Sequence, residues 1–316
     1  MRLHTFVLLA SFLRCAGAQP TVTAPVLGYA YDPGLRAIRP VRGIPGAAVL
    51  GAPLEIGFVP ADASIAPLQN YALAVSRNQA VSLIRWDNGS PSAASLTSTM
   101  ARLGRIAFSP SGTAAILYDS VSARMQLVTG LPGTPSIQEL QPAGSTAADA
   151  FAVADNGTVV LSAAGSVRSI SPDLNSIPLP LPAGIVALAF DPAGANLLAA
   201  TGSGDVYLAQ NVTTNFFFRQ VYTGDDRTSG PIAVQFSPNG AAAFVANPSG
   251  VATIDLNSGA ASAIPCQCTP TGLQPFGPAG LFRITEISRR PLLLFDGTPS
   301  GNRFWFVPAE VRGSAQ

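Results

Sequence analysis

One short corner sequence, repeated along the chain, restricts the fold more than any other feature. Ile106-Ala-Phe-Ser-Pro-Ser-Gly112, Phe151-Ala-Val-Ala-Asp-Asn-Gly157, Leu188-Ala-Phe-Asp-Pro-Ala-Gly194 and Val234-Gln-Phe-Ser-Pro-Asn-Gly240 all follow one pattern. Each carries an apolar strand into a Ser/Asp-Pro-x-Gly turn or its Asp-Asn-Gly equivalent. A second apolar strand follows each corner: Ala114–Tyr118, Thr158–Ser162, Asn196–Thr201 and Ala241–Ala246. A short polar loop then leads to a third: Met125–Thr129, Val167–Ile170, Asp205–Ala209 and Val251–Leu256. A weaker copy starts at Ile65-Ala66-Pro67, with Tyr71–Val75 and Val81–Trp86 behind it. Another is read from Cys268-Thr-Pro-Thr-Gly272, followed by Leu281–Thr285, Pro291–Phe295 and Arg303–Val307.

These six phased units leave Gln19–Pro60, where Gly28–Tyr31, Leu35–Val41 and Leu54–Val59 read as strands of a seventh. The spacing is about 42 residues per unit, inside the range of roughly 40 to 50 known for propeller blades. No capped helical pattern separates the strands, which excludes βαβ architectures. A two-sheet sandwich has no reason to repeat one corner in every unit. The expected fold is therefore all-β: a seven-bladed β-propeller of four-stranded antiparallel blades, with six or eight blades as alternatives. Closing the ring is expected to pair N-terminal strands with C-terminal ones, leaving no open sheet edge.

The first residues read as an export signal. Met1-Arg2 is a positive start, Phe6–Leu13 an apolar run too short to span a bilayer, and Ala16-Gly17-Ala18 a small-residue cleavage site. Residues 1–18 are thus expected to be a signal peptide and 19–316 a single propeller domain, periplasmic or secreted. Arg14 precedes Cys15, where a lipoprotein needs a small residue. Composition sharpens this. The chain has no lysine, and its single histidine, His4, lies in the signal. What remains lacks the usual general base, the commonest metal ligand and the Schiff-base nucleophile. Losing Arg2 and Arg14 takes the formal charge from +1 to −1, so neither nucleic acid nor, after cleavage, a membrane is an expected partner. Cys266 and Cys268 remain as an even C-x-C pair, a disulfide candidate in an oxidising compartment and the sole handle for an electron-transfer role. Two thiolates without histidine make a poor metal site.

Local motifs mostly read as turn chemistry. Ser109, Asp155, Asp191 and Ser237 stand where a tight corner needs a side chain to bond its own backbone. Gly202-Ser-Gly-Asp205 and Asn247-Pro-Ser-Gly250 feed no helix and precede no lysine, so they read as hairpins and not phosphate loops. Asp225-Asp226 lacks the alternating acids of a calcium loop. Phe216-Phe217-Phe218 is expected on an outermost strand with one ring exposed. Asn88, Asn156 and Asn211 sit in glycosylation sequons that matter only in a glycosylating host.

A propeller brings the loops between second and third strands to one face around its channel. Those loops carry Arg77, Asn78, Asp119, Asp205, Asn247, Glu286, Arg289 and Arg290, the candidate contacts for a protein or small-molecule ligand. No catalytic dyad is evident and no cofactor is expected, which favours an interaction module, expected to be monomeric, over an enzyme. The alternative is a hydrolase in which Asp119, Asp205 and Glu286 hold Ca or Mg through oxygen ligands.

From Phe236 to Gly259, Phe-Ser-Pro-Asn-Gly-Ala-Ala-Ala-Phe-Val-Ala-Asn-Pro-Ser-Gly-Val-Ala-Thr-Ile-Asp-Leu-Asn-Ser-Gly, the chain resembles the YVTN-type repeat of WD-repeat-like and lactonase-like bacterial propellers. The units at 106 and 188 match it in part. The resemblance implies a propeller and leaves function open, because the superfold carries enzymes, scaffolds and ligand binders alike. Lactonase-like members use histidine together with acids, and no histidine follows the signal here.

Overall fold

The computed structural model describes residues 24–87, 90–140, 146–277, 280–299 and 301–309. The expected signal peptide and Asn88 lie outside them. The described residues form twenty-seven strands and no helix, arranged as a seven-bladed β-propeller. The first blade has β1 (Val26–Asp32), β2 (Ala37–Ile44) and β3 (Ala47–Leu50). The second has β4 (Pro60–Ile65), β5 (Tyr71–Ser76), β6 (Val81–Asp87) and β7 (Ser90–Ser95). The third has β8 (Arg105–Phe108), β9 (Ala114–Asp119), β10 (Arg124–Thr129) and β11 (Ser136–Leu140). The fourth has β12 (Ala148–Val153), β13 (Val159–Ala163), β14 (Ser166–Ile170) and β15 (Ser176–Leu179). The fifth has β16 (Ile185–Phe190), β17 (Leu197–Thr201), β18 (Val206–Gln210) and β19 (Phe217–Tyr222). The sixth has β20 (Ala233–Phe236), β21 (Ala242–Asn247), β22 (Gly250–Asp255) and β23 (Ala261–Pro265). The seventh has β24 (Gln274–Pro275), β25 (Leu281–Arg283), β26 (Leu292–Asp296) and β27 (Arg303–Val307).

Both faces of each blade are covered, which is why the strands read as unbroken apolar runs instead of alternating polar and apolar. Along β17, Leu198 and Ala200 pack toward the sixth blade while Leu197 and Ala199 pack toward the fourth. Along β21, Ala243 and Val245 face the fifth blade, and Phe244 and Ala246 the seventh. The core consists of seven such apolar clusters, one between each pair of neighbouring blades. Each buried Leu, Val or Phe in them contributes about 1.5–3 kcal/mol.

The corners are built alike. Ser109 Oγ accepts the Ala114 N–H, Ser237 Oγ the Ala242 N–H, and Asp191 Oδ1 those of Ala195 and Asn196. The turn closes onto a residue with left-handed backbone: Gly112, Gly157, Gly194 and Gly240 at φ 69–84°, and Gln69 at 61° in the second blade. In the fourth blade Ala154 fills the Ser/Asp position. Asp155 instead accepts the Ser111 N–H of the adjacent corner at 3.0 Å, so it ties two blades together. The seventh corner is not at Cys268. β24 ends at Pro275, and the Phe276 N–H donates to Leu281 O as the Ser109 N–H does to Ala114 O, so Phe276 stands in the place of Ser or Asp.

The first blade departs from expectation twice. Its third strand is Ala47–Leu50, because Gly43 and Gly46 (φ 117° and 86°) turn the chain back within two residues; Leu54–Val59 is a loop that buries Ile56. Its first strand corresponds to the second strand of the other blades. The Tyr31 hydroxyl, at the end of β1, reaches the carbonyls of Pro60 and Ala61 where β4 begins, whereas the Tyr29 N–H meets Gln69 in the opposite corner. Among the described residues this blade therefore has three strands and no innermost one. Nor, among the described residues, do the first and last blades share a sheet: β27 packs against β3, and closure rests on the apolar cluster of Ala30, Val41 and Ala48 with Leu281, Leu292 and Leu294.

Gln69 covers the exposed edge of β1. Its Oε1 accepts the Tyr29 N–H at 2.6 Å and its Nε2 donates to Pro275 O at 3.3 Å, linking the first, second and seventh blades. Gln69→Ala leaves that N–H unpaired, at an expected cost of about 1–3 kcal/mol in urea denaturation. Faster amide exchange at Tyr29 is the local signature; unchanged stability and exchange contradict the role.

Candidate functional site

The inner strands enclose a channel of about 570 Å³. Close to the axis the blades converge, so small side chains line the wall: Ala63, Ala107, Ala150, Ala152, Ala187 and Ala233. The two ends differ in chemistry. At the corner end stand Pro67, Pro110 and Phe190. At the other end, the mouth, the lining includes Asp62, Arg105, Gln274, Arg283 and Glu286. Strand register explains the sorting. β4 and β8 begin at the mouth, as the pairs Pro60↔Ser76 and Arg105↔Tyr118 show, and the loops after β5, β9 and β25 open on the same end; Gln274 pairs with Arg283, whose side chain reaches Glu286 in the last of these loops.

Arg283 Nη1 lies 2.8 Å from Glu286 Oε2, and its Nη2 donates to Gln274 Oε1. That pair is neutral and satisfied. Arg105 stacks its guanidinium on the Phe151 ring, 4.6 Å from the centroid. It is open to the channel, but the channel walls crowd the guanidinium, and this burial holds its pKa below the ordinary value. Asp62 accepts only the Ala63 N–H among the hydrogen bonds found. On the side opposite this charged sector, Val186 and Ile232 present apolar surface, each 38% exposed.

All eight residues expected from the loops do lie at the mouth end, but Glu286 alone lines the channel. Arg77, Asn78, Arg289 and Arg290 are exposed farther out. Asp119, Asp205 and Asn247 hold their own turns. Asp119 accepts the Ser122 hydroxyl at 2.5 Å and the Val121 N–H at 2.9 Å, and Ser122 above all keeps its pKa below the ordinary carboxylate value. Asn247, 2% exposed, accepts from Ser249 and Gly250 and donates to Arg227 O. Asp205 accepts from Gly224 N at 2.8 Å and Ser203 Oγ at 2.9 Å; the Gly224 N–H is the largest influence lowering its pKa. Among the described residues no three Asp, Glu, His or Cys side chains gather in metal-binding geometry, so Asp119, Asp205 and Glu286 do not share an ion site.

Cys266 and Cys268 are joined by a disulfide, with Cα atoms 5.1 Å apart. It lies beside the mouth, where the Cys266 N–H donates to Ser249 O. Phe217 is the exposed ring of its aromatic triplet, while Phe216 and Phe218 pack inward. Asp62 and Arg105 are absent from the loop-based set because they belong to first strands. Counting back from the corner finds them: each stands three residues before the apolar residue entering the turn, Ile65 and Phe108 respectively.

Because the folded-state pKa of Asp205 is lowered, its contribution to stability is present above the unfolded carboxylate pKa near 4 and is lost as pH falls through the lower folded value. Asp205→Ala is expected to cost about 1–2 kcal/mol at pH 7 in urea denaturation and much less at pH 2. An equal cost at both pH values contradicts a role for the charged form.

No family model matches this chain, and no curated protein does. Solved structures match in fold. A functionally unknown protein from Desulfotomaculum acetoxidans DSM 771 aligns with a TM-score of 0.60 at 15% identity, over 90% of this chain and 100% of that one. PorZ, described as a bacterial surface component of the type-IX secretion system of Porphyromonas gingivalis, aligns with a TM-score of 0.60 at 11% identity; the match spans 92% of this chain but 39% of PorZ. A catalytically inactive virginiamycin B lyase from Staphylococcus aureus, determined with quinupristin, aligns with a TM-score of 0.56 at 12% identity, over 79% of this chain and 84% of the lyase. At such identities the likeness establishes the propeller fold and nothing of activity.

Proposed function

We propose that this protein is an exported β-propeller of the YVTN/WD-repeat-like kind that acts as an interaction module, monomeric in the periplasm or medium, and takes a small ligand into the channel mouth. The observation that carries this reading is the polarity of the channel. About 570 Å³ of concave space has charged and amide groups gathered at one end and apolar walls below them. Export is supported by the Met1–Ala18 pattern and by a disulfide at Cys266–Cys268. The hydrolase alternative draws no support from its carboxylates, since Asp119 and Asp205 are engaged in separate turns of the third and fifth blades.

The test retains the ligand physically. Purified protein is incubated with a small-molecule extract of its source organism, washed by ultrafiltration and denatured, and the released compounds are identified by mass spectrometry. Val186→Trp places an indole in the mouth from an already exposed position, so folding is expected to be kept, as its thermal melt will show. The expected result is a compound retained by the wild type and lost from Val186→Trp. Equal retention by the two proteins, or none by the wild type, contradicts the reading.

A further inference from the structure

The mouth carries two charges that its own residues leave unanswered. Asp62 on β4 and Arg105 on β8 stand on neighbouring blades at the same height, each three residues before its corner. Among the described residues, no carboxylate lies within ion-pairing distance of Arg105 and no cation within that of Asp62; the ion pairs found involve other residues. The nearby pair Arg283–Glu286 is neutral as a unit. The charged lining of the channel is therefore neutral overall, and beyond the Arg283–Glu286 pair it leaves one positive and one negative group on adjacent inner strands.

That arrangement selects by charge. A simple anion drawn to Arg105 meets Asp62 nearby, and a simple cation drawn to Asp62 meets Arg105. A molecule bearing both charges satisfies both sites, and each contact is a charge-assisted hydrogen bond of the stronger kind. Arg105 is exposed to the channel with its guanidinium held flat on the Phe151 ring, so its N–H edge is presented to an anionic partner. Across the mouth Val186 and Ile232 offer apolar surface to whatever the charged groups hold.

We propose that the channel mouth binds a zwitterion with an apolar side chain, its carboxylate on Arg105, its ammonium on Asp62 and its side chain toward Val186 and Ile232. An apolar α-amino acid is the simplest molecule of this class. The assignment rests on the reading of the channel mouth as the ligand seat and names the chemistry that seat selects.

Titration of the full-length protein, followed by NMR or thermal shift, tests it with three probes: L-leucine, N-acetyl-L-leucine, which lacks the ammonium, and L-leucinamide, which lacks the carboxylate. L-leucine is expected to bind saturably in the millimolar range or tighter, and each derivative at least about tenfold more weakly. Arg105→Gln should bring L-leucine down to the level of L-leucinamide, and Asp62→Asn should raise N-acetyl-L-leucine toward L-leucine. Both side chains open onto the channel, and an unchanged melting temperature confirms that the variants fold. L-leucine binding no better than its derivatives, or binding indifferent to Arg105→Gln, overturns the proposal. If no probe binds while the extract-derived compound is still lost from Val186→Trp, the zwitterion assignment fails and the channel-mouth reading stands. If Val186→Trp keeps that compound, both fail.

Discussion

Packing between blades is the interaction on which everything else in this molecule depends. A β-blade here has no solvent face: successive residues of β9, β17 and β21 go alternately to the cluster on one side and the cluster on the other. Neither face can be given up, since truncating one Phe such as Phe244 or Phe295, both essentially buried, costs about 3–5 kcal/mol. The same condition accounts for the composition. Strands apolar on both faces leave little room for charge, and 11% charged residues is the outcome. The ring closes by this packing too, through Ala30 and Val41 against Leu292 and Leu294.

Convergence of the blades toward the axis then shapes the site. The inner strands must be slender, so alanine dominates the channel wall, and the few larger or charged residues there are conspicuous. They sit at the starts of inner strands, where the channel widens to its mouth, and the corner end is filled with Pro67, Pro110 and Phe190. The first blade, lacking an innermost strand among the described residues, turns Tyr31 toward the channel and relies on Gln69 to cover its edge. A rigid ring thus holds single side chains from several blades at fixed positions, the arrangement on which the proposed ligand seat rests.

Much of the fold was legible because the corner is a local structure with strict chemical demands: a side-chain acceptor at its start and a left-handed residue at its end. Where a blade meets those demands differently, the pattern misleads. Phe276 stands where the acceptor belongs in the seventh corner, so the pattern points instead to Cys268-Thr-Pro-Thr-Gly272, and two glycines make the short β3 hard to see. The site was less legible. Asp119, Asp205 and Asn247 occupy the right loops, but polar residues in tight turns serve the turn first. Asp62 and Arg105 are far apart in sequence and share no motif; only the register of equivalent strands places them side by side.

The central claim is that the functional surface is the mouth of the channel and not the outer loops. An experimental structure of the protein after incubation with extract of its source organism tests it most directly. The account predicts density for a small molecule bounded by Asp62, Arg105, Val186 and Ile232. Density seated instead on the outer loops at Arg77, Arg289 or Arg290, with only solvent in the channel, would contradict it.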